Sequence, residues 1–159
     1  ASDVYKRQLF AAATKVGAIL SNQENKVKDA LEFYGKNLGL TFQIADDTLD
    51  YYSELKLFGK EIGNDFFEGK VTLPIILLNQ KANADEKKGI KNCFLKHERS
   101  ESDFKSILGL IKKYDIINDC YLKAEYFIGL SSNSLSIFPD TKEKEILKKL
   151  TSFSLERSY

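Results

Sequence analysis

Three aspartates, Asp46, Asp47 and Asp50, stand in the stretch GLTFQIADDTLDYYSELKLFGKEIGNDFFEGKVTLP, which runs from Gly39 to Pro74. On an α-helix, positions three and four apart share a face, so both Asp46 and Asp47 stack near Asp50 and Gln43 lies one turn earlier. The four side chains fall in an arc of about 100°. One neighbouring arc carries Val27, Leu31, Leu38, Phe42, Ala45 and Leu49, and the other Ala30, Phe33, Leu40, Ile44 and Tyr51. Only Asn37, Thr41 and Thr48 suggest a wet back. Gly35 and Gly39 fall beside the acids, where missing side chains leave room. The pattern predicts a mostly buried helix with its carboxylates pointing into a cavity. Three buried like charges are prohibitively costly without partners, so such a cavity calls for cations. Magnesium suits it, since it takes hard oxygen ligands, keeps several waters and binds one or two carboxylates together with substrate phosphates. The plain alternative is a helix with three surface acids, and the acids alone leave both open.

The following loop adds basic groups. Lys60 follows Gly59, Asp65 follows Gly63-Asn64, and Lys70 follows Gly69. Small residues beside charged ones let backbone N–H and ammonium groups gather around a phosphate. The combined pattern F-Q-x-x-D-D-x-x-D, then G-K-x-x-G-x-D-x-x-E-G-K-x-T-L-P, resembles the second aspartate-rich region of trans-polyprenyl diphosphate synthases. Phe42, Gln43, Asp46, Asp47, Asp50, Gly59, Lys60, Gly63, Asp65, Glu68, Gly69, Lys70, Thr72, Leu73 and Pro74 carry the match. Glu61 stands where the family usually has proline.

The resemblance covers about Leu9 to the C-terminus and implies the C-terminal half of an all-α isoprenoid synthase bundle. It implies magnesium-dependent trans condensation of an allylic prenyl diphosphate with isopentenyl diphosphate, making a long polyprenyl diphosphate for quinone side chains. In that scheme Asp46, Asp47 and Asp50 serve the metal, Lys60 and Lys70 hold diphosphate oxygens, and Gln43 positions the reacting end. Asp46, Asp47, Lys60 and Lys70 are then the catalytic set, and a homodimer is the expected assembly. The family's other aspartate motif, with its nearby arginines, has no counterpart in these residues. The 159-residue chain is therefore expected to be inactive alone. A lysine-threonine pair that the family places just before Leu9-Phe10-Ala11 meets Tyr5 and Lys6 here, so residues 1–8 read as a foreign or truncated end and 9–159 as one helical domain. Two other readings are a non-catalytic subunit of a heteromeric prenyltransferase and a magnesium-dependent terpene cyclase. Intact acids and lysines oppose the first, and the lack of asparagine with serine or threonine in the metal motif opposes the second.

The remaining chain must supply the scaffold. Apolar periodicity predicts helices over about Leu9–Leu20, Asn25–Tyr52, Leu73–Gln80, Asp85–Lys96, Asp103–Lys113 and Ile117–Ile137, with a last one through Leu150. Ser100 with Asp103, and Asp140 with Glu143, read as caps. No stretch alternates as a strand does, which predicts an all-α fold. With 24 basic and 23 acidic side chains, no global field favours nucleic acid. No apolar run reaches the roughly 18 residues that span a bilayer, and no secretory leader is visible. Cys93 and Cys120 lie in apolar helical patterns and read as buried thiols of a reducing compartment, hence a cytoplasmic chain. His97 reads as a helix-end residue. Phe66 and Phe67 either cover the site or anchor the loop.

Overall fold

The structure, a computed structural model, describes residues 2–52 and 62–156. Among these residues there is no strand, and the elements run α1 Ser2–Leu20, α2 Asn25–Leu49, α3 Asn64–Phe67, α4 Leu73–Lys81, α5 Ala84–Leu95, α6 Glu101–Lys113, α7 Ile116–Ser134, a 3₁₀ turn Leu135–Ile137 and α8 Lys142–Glu156. The all-α expectation holds. The chain forms two compact units, one from Ala1–Ala45 with Leu122–Tyr159 and the other from Asp46–Tyr121.

In the first unit, α1 lies along α2 at very short range, and two glycines make this possible. A Cβ at Gly35 would stand 2.2 Å from Thr14 Oγ1 and 2.4 Å from the Phe10 carbonyl oxygen, and one at Gly39 would stand 3.2 Å from Arg7 Cα. Thr14 uses the proximity to donate across to the Leu31 carbonyl at 2.6 Å. The expectation that Gly35 and Gly39 leave room beside the acids is thus corrected: α1 fills that room. Tyr34, Leu38 and Leu135 form the core here, with Phe10, Leu31, Phe138 and Leu147 packed on it. The Tyr34 hydroxyl donates to the Leu147 carbonyl at 2.8 Å, and Ser131 Oγ donates to the Tyr34 carbonyl at 3.0 Å. These bonds satisfy polar atoms that the core would otherwise strand.

The supposed wet back of α2 is also corrected, since Asn37, Thr41 and Thr48 are all buried. Short polar side chains can turn back onto their own helix. Asn37 Nδ2 donates to the Phe33 carbonyl at 2.7 Å, and Thr41 Oγ1 to the Asn37 carbonyl at 3.1 Å. Buried in this way, they cost little, which a polarity pattern cannot convey.

In the second unit, α5 and α6 are joined by ion pairs and caps. Ser100 and Asp103 form the expected capping box. A second box, Asn83 with Glu86, starts α5 and was not anticipated. Glu86 also takes Lys113 and the Tyr114 hydroxyl, each at 2.6 Å. The expected cap at Asp140 is corrected: Thr141 Oγ1 accepts the Lys144 N–H at 3.3 Å, while Asp140 pairs with Lys144 Nζ at 2.9 Å. Helix α1 begins at Ser2 rather than Leu9, for no glycine or proline precedes Leu9 to stop it.

Candidate functional site

Helix α2 ends at Leu49, three residues earlier than its periodicity predicts, and the chain turns at Asp50. The Asp50 N–H still reaches the Asp46 carbonyl at 3.3 Å. Its carboxylate faces the start of α3. One oxygen accepts from the N–H groups of Gly63 at 3.2 Å and Asn64 at 3.1 Å, and the other from Asp65 at 2.8 Å. The Gly63 N–H also lies 2.9 Å from the Asp50 carbonyl. A distant aspartate thus caps the amide end of a four-residue helix that has no cap of its own. Burial raises the Asp50 carboxyl above the usual carboxylate range; the neighbouring Asp65 charge adds to this, and the three amides oppose it. Both Asp50 oxygens are therefore committed to the loop.

Asp46 is exposed and Asp47 half-buried, so Asp46 does not point into an enclosed cavity. Among the described residues the Asp46 carboxylate makes no ion pair. Asp47 is engaged within the fold, close enough for its charge to raise the Tyr51 phenol and the Cys120 thiol. Gln43 is half-buried, and its Oε1 is buried without a hydrogen-bond donor. A buried acceptor left open is costly, which fits a group meant for a ligand. Among the described residues, no three His, Cys, Asp or Glu side chains come close enough to cage a metal. The donors present suit an ion that keeps most of its waters and takes its other ligands from phosphate, which is magnesium's habit.

Lys70 Nζ lies 2.9 Å from Asp65 Oδ1 and 2.7 Å from Glu68 Oε2, and is half-exposed. The hydrogen bond to Glu68, then that to Asp65, holds the ammonium well above the ordinary lysine range. Lys60 and Gly59 lie outside the described residues.

The loop is anchored by aromatic packing. Phe66 is fully buried, with ring centroids 5.4 Å from Phe67, 5.5 Å from Phe94 and 5.2 Å from Phe104. Of the two roles open to Phe66 and Phe67, the structure shows the anchor. Gly63 and Gly69 have φ of 88° and 75°, values that side chains disfavour. At Gly63 a Cβ would also meet the Phe104 ring at 2.8 Å. Tyr51 is buried and packs on Phe104 at 6.1 Å, as a packing residue does. Cys93 and Cys120 are buried free thiols, and burial pushes Cys120 up to about 12. His97 is exposed just beyond α5.

Sequence reasoning missed Arg99, whose Nη1 donates to the Phe67 carbonyl at 3.1 Å and whose guanidinium lies over Phe94. No periodicity marks it. The available signal was Gly69, which leaves space for a partner from elsewhere in the chain.

The described residues are thus all helical, with an acidic helix end that grips a glycine-bounded loop bearing Lys70. The polyprenyl synthetase family model matches residues 6–111, and the chain belongs to that family. It is 28% identical over 152 residues to octaprenyl diphosphate synthase of Haemophilus influenzae, covering 96% of this chain and 46% of that one. It is 32% identical to geranylgeranyl diphosphate synthase of Methanosarcina mazei, covering 95% and 45%. Its fold is similar to the crystal structure of polyprenyl synthase from Caulobacter crescentus complexed with calcium and isoprenyl diphosphate, with a TM-score of 0.85 at 34% identity over 95% of this chain and 46% of that one. The chain spans about half the length of the curated relatives it matches. Among the described residues no helix is long and apolar enough to cross a membrane.

Proposed function

We propose that this chain forms the diphosphate-binding half of a prenyltransferase site that extends an allylic prenyl diphosphate with isopentenyl diphosphate in the trans sense. The observation that carries the reading is the Asp50 carboxylate on the Gly63, Asn64 and Asp65 amides. It ties the acidic end of α2 directly to the loop bearing Lys70, which supports their acting at one place.

On this reading Asp46 and Asp47 hold magnesium, and Asp50 contributes by fixing the loop. When bound, magnesium would neutralise the charge that gathers on the departing diphosphate. Lys70 offers a permanent positive charge to the same oxygens, and Lys60 is proposed for the same role. Both substrates carry a diphosphate, whose oxygens take strong charge-assisted hydrogen bonds from an ammonium, and Lys70 is proposed to make these in place of its contacts with Asp65 and Glu68. Gln43, whose Oε1 is an open acceptor, is proposed to orient the reacting end.

The relatives differ in the chain length that their names carry, octaprenyl against geranylgeranyl. The long-chain, quinone-directed reading rests on the E-G-K-x-T-L-P wording from Glu68 to Pro74. Leu9, Val16, Ile19 and Leu20 of α1, with Phe33 of α2, are exposed apolar side chains. This supports burial of α1 against more protein, either the remaining part of a full-length synthase or the second subunit of a homodimer.

The test supplies radiolabelled isopentenyl diphosphate, farnesyl diphosphate and magnesium to this chain, alone and co-expressed with the N-terminal half of a relative. The expected result is no elongation by the chain alone and magnesium-dependent prenyl products from the pair. Longer products from the isolated chain would show that the site has been misread.

A further inference from the structure

Helix α3 is four residues long, too short to hold itself together, and the destinations of its backbone groups show what holds it. Asp50 takes the N–H groups at its amide end. At the other end, the carbonyls of Gly63, Asn64, Asp65 and Phe66 accept from the backbone of Phe67, Glu68, Lys70 and Gly69 in that order. The Phe67 carbonyl is left over, and Arg99 Nη1 donates to it at 3.1 Å. A carboxylate therefore caps one end and a guanidinium the other, each matching the sign of the backbone dipoles there.

Arg99 has no freedom to do this loosely. Its backbone is fixed by the adjoining Ser100–Asp103 capping box and by the Lys96–Asp103 ion pair at 2.6 Å. Its guanidinium carbon stands 5.7 Å from the Phe94 ring centre, a cation–π distance. Its Nη2 occupies the space of a side chain at position 69, 2.0 Å from where a Cβ would be. With its φ of 75° this position favours glycine, and the next residue is Lys70.

From this we infer that Arg99 is a positioning residue that sets the Gly69–Lys70 backbone so that the Lys70 ammonium meets a diphosphate. The inference rests on the reading of Lys70 as a diphosphate ligand. Arg99 does not itself touch the ligand, so its effect must pass through Lys70. Purely structural support of the fold would act equally whether or not Lys70 carries a charge.

A double-mutant cycle separates the two. Calorimetric titration with inorganic diphosphate in the presence of magnesium is made on the unaltered chain, Arg99→Ala, Arg99→Lys, Lys70→Gln and the Arg99→Ala/Lys70→Gln pair, with circular dichroism melts of each. Arg99→Ala is expected to weaken binding about tenfold, which is about 1.4 kcal/mol, and the pair to bind no more weakly than Lys70→Gln alone. Arg99→Lys keeps a donor for the Phe67 carbonyl and is expected to recover part of the loss; it also carries the test if Arg99→Ala does not fold. Binding by Arg99→Lys and Arg99→Ala equal to that of the unaltered chain would overturn the inference while leaving Lys70 as a ligand. Losses that multiply in the pair would overturn it too. Unchanged binding in Lys70→Gln would sink the reading of the site and the inference with it.

Discussion

Lys70 is shared between two carboxylates of its own loop, and those carboxylates compete with any anionic ligand for it. Glu68 lies on the exposed side of this arrangement, where an ion pair is worth at most about 1 kcal/mol. Glu68→Gln should therefore tighten binding of magnesium diphosphate, by up to about fivefold, whereas Lys70→Gln should weaken it about tenfold or more by removing a charge-assisted contact of about 1.5–3 kcal/mol. Titration calorimetry on both variants decides this; weaker binding in Glu68→Gln would show that Glu68 serves the site rather than restrains it. At this scale the spacing set Asp46 and Asp47 at the end of α2, but the burial read from it did not hold, since Asp46 is exposed. Spacing put Asp50 with the other two; the chain turns there, and both of its carboxylate oxygens accept from backbone amides.

The elements are positioned by a few contacts that can be removed singly. A Cβ at Gly35 meets a backbone carbonyl at 2.4 Å, and backbone cannot step aside as a side chain can. Gly35→Ala should cost about 1–3 kcal/mol, as overpacking does, seen as a lower urea midpoint with helix content retained; an unchanged midpoint would mean that α1 does not lie against α2 as described. The α5–α6 pair has a pH signature. Glu86 is held down to about 2, first by the Lys113 hydrogen bond, then by Tyr114 and the Asn83 N–H. Its folded value lies below the unfolded one, so its stabilisation is complete above about pH 4.5 and lost as pH falls through about 2. Glu86→Gln should flatten the acid side of the stability–pH curve in that window, and an unaltered slope would place the Glu86 contacts outside the folding balance. The longer helices were legible from period and caps, since local apolar spacing dictates them; α3, four residues long in a stretch read as loop, was not. The burial of Asn37, Thr41 and Thr48 was not, because bonds such as those of Asn37 and Thr41 to their own helix make polar residues cheap to bury without altering their types. Arg99 was illegible for a different reason: its partner carbonyl lies 32 residues away.

For the whole molecule, we propose that a chain spanning about half the length of its relatives still binds magnesium diphosphate, with Asp46 serving the metal and Asp50 and Arg99 holding the loop between them. The family and the all-α architecture were legible because one dense motif, from Phe42 to Pro74, carries both. The two-unit arrangement was not, because the second unit begins inside α2, at Asp46, with no break in the apolar pattern. The most direct test of the central claim is a calorimetric titration of this chain with inorganic diphosphate, run with and without magnesium, for the unaltered chain and Asp46→Asn. The expected result is binding only when magnesium is present, and its loss in Asp46→Asn with circular dichroism unchanged. Equal binding without magnesium, or by Asp46→Asn, would contradict it.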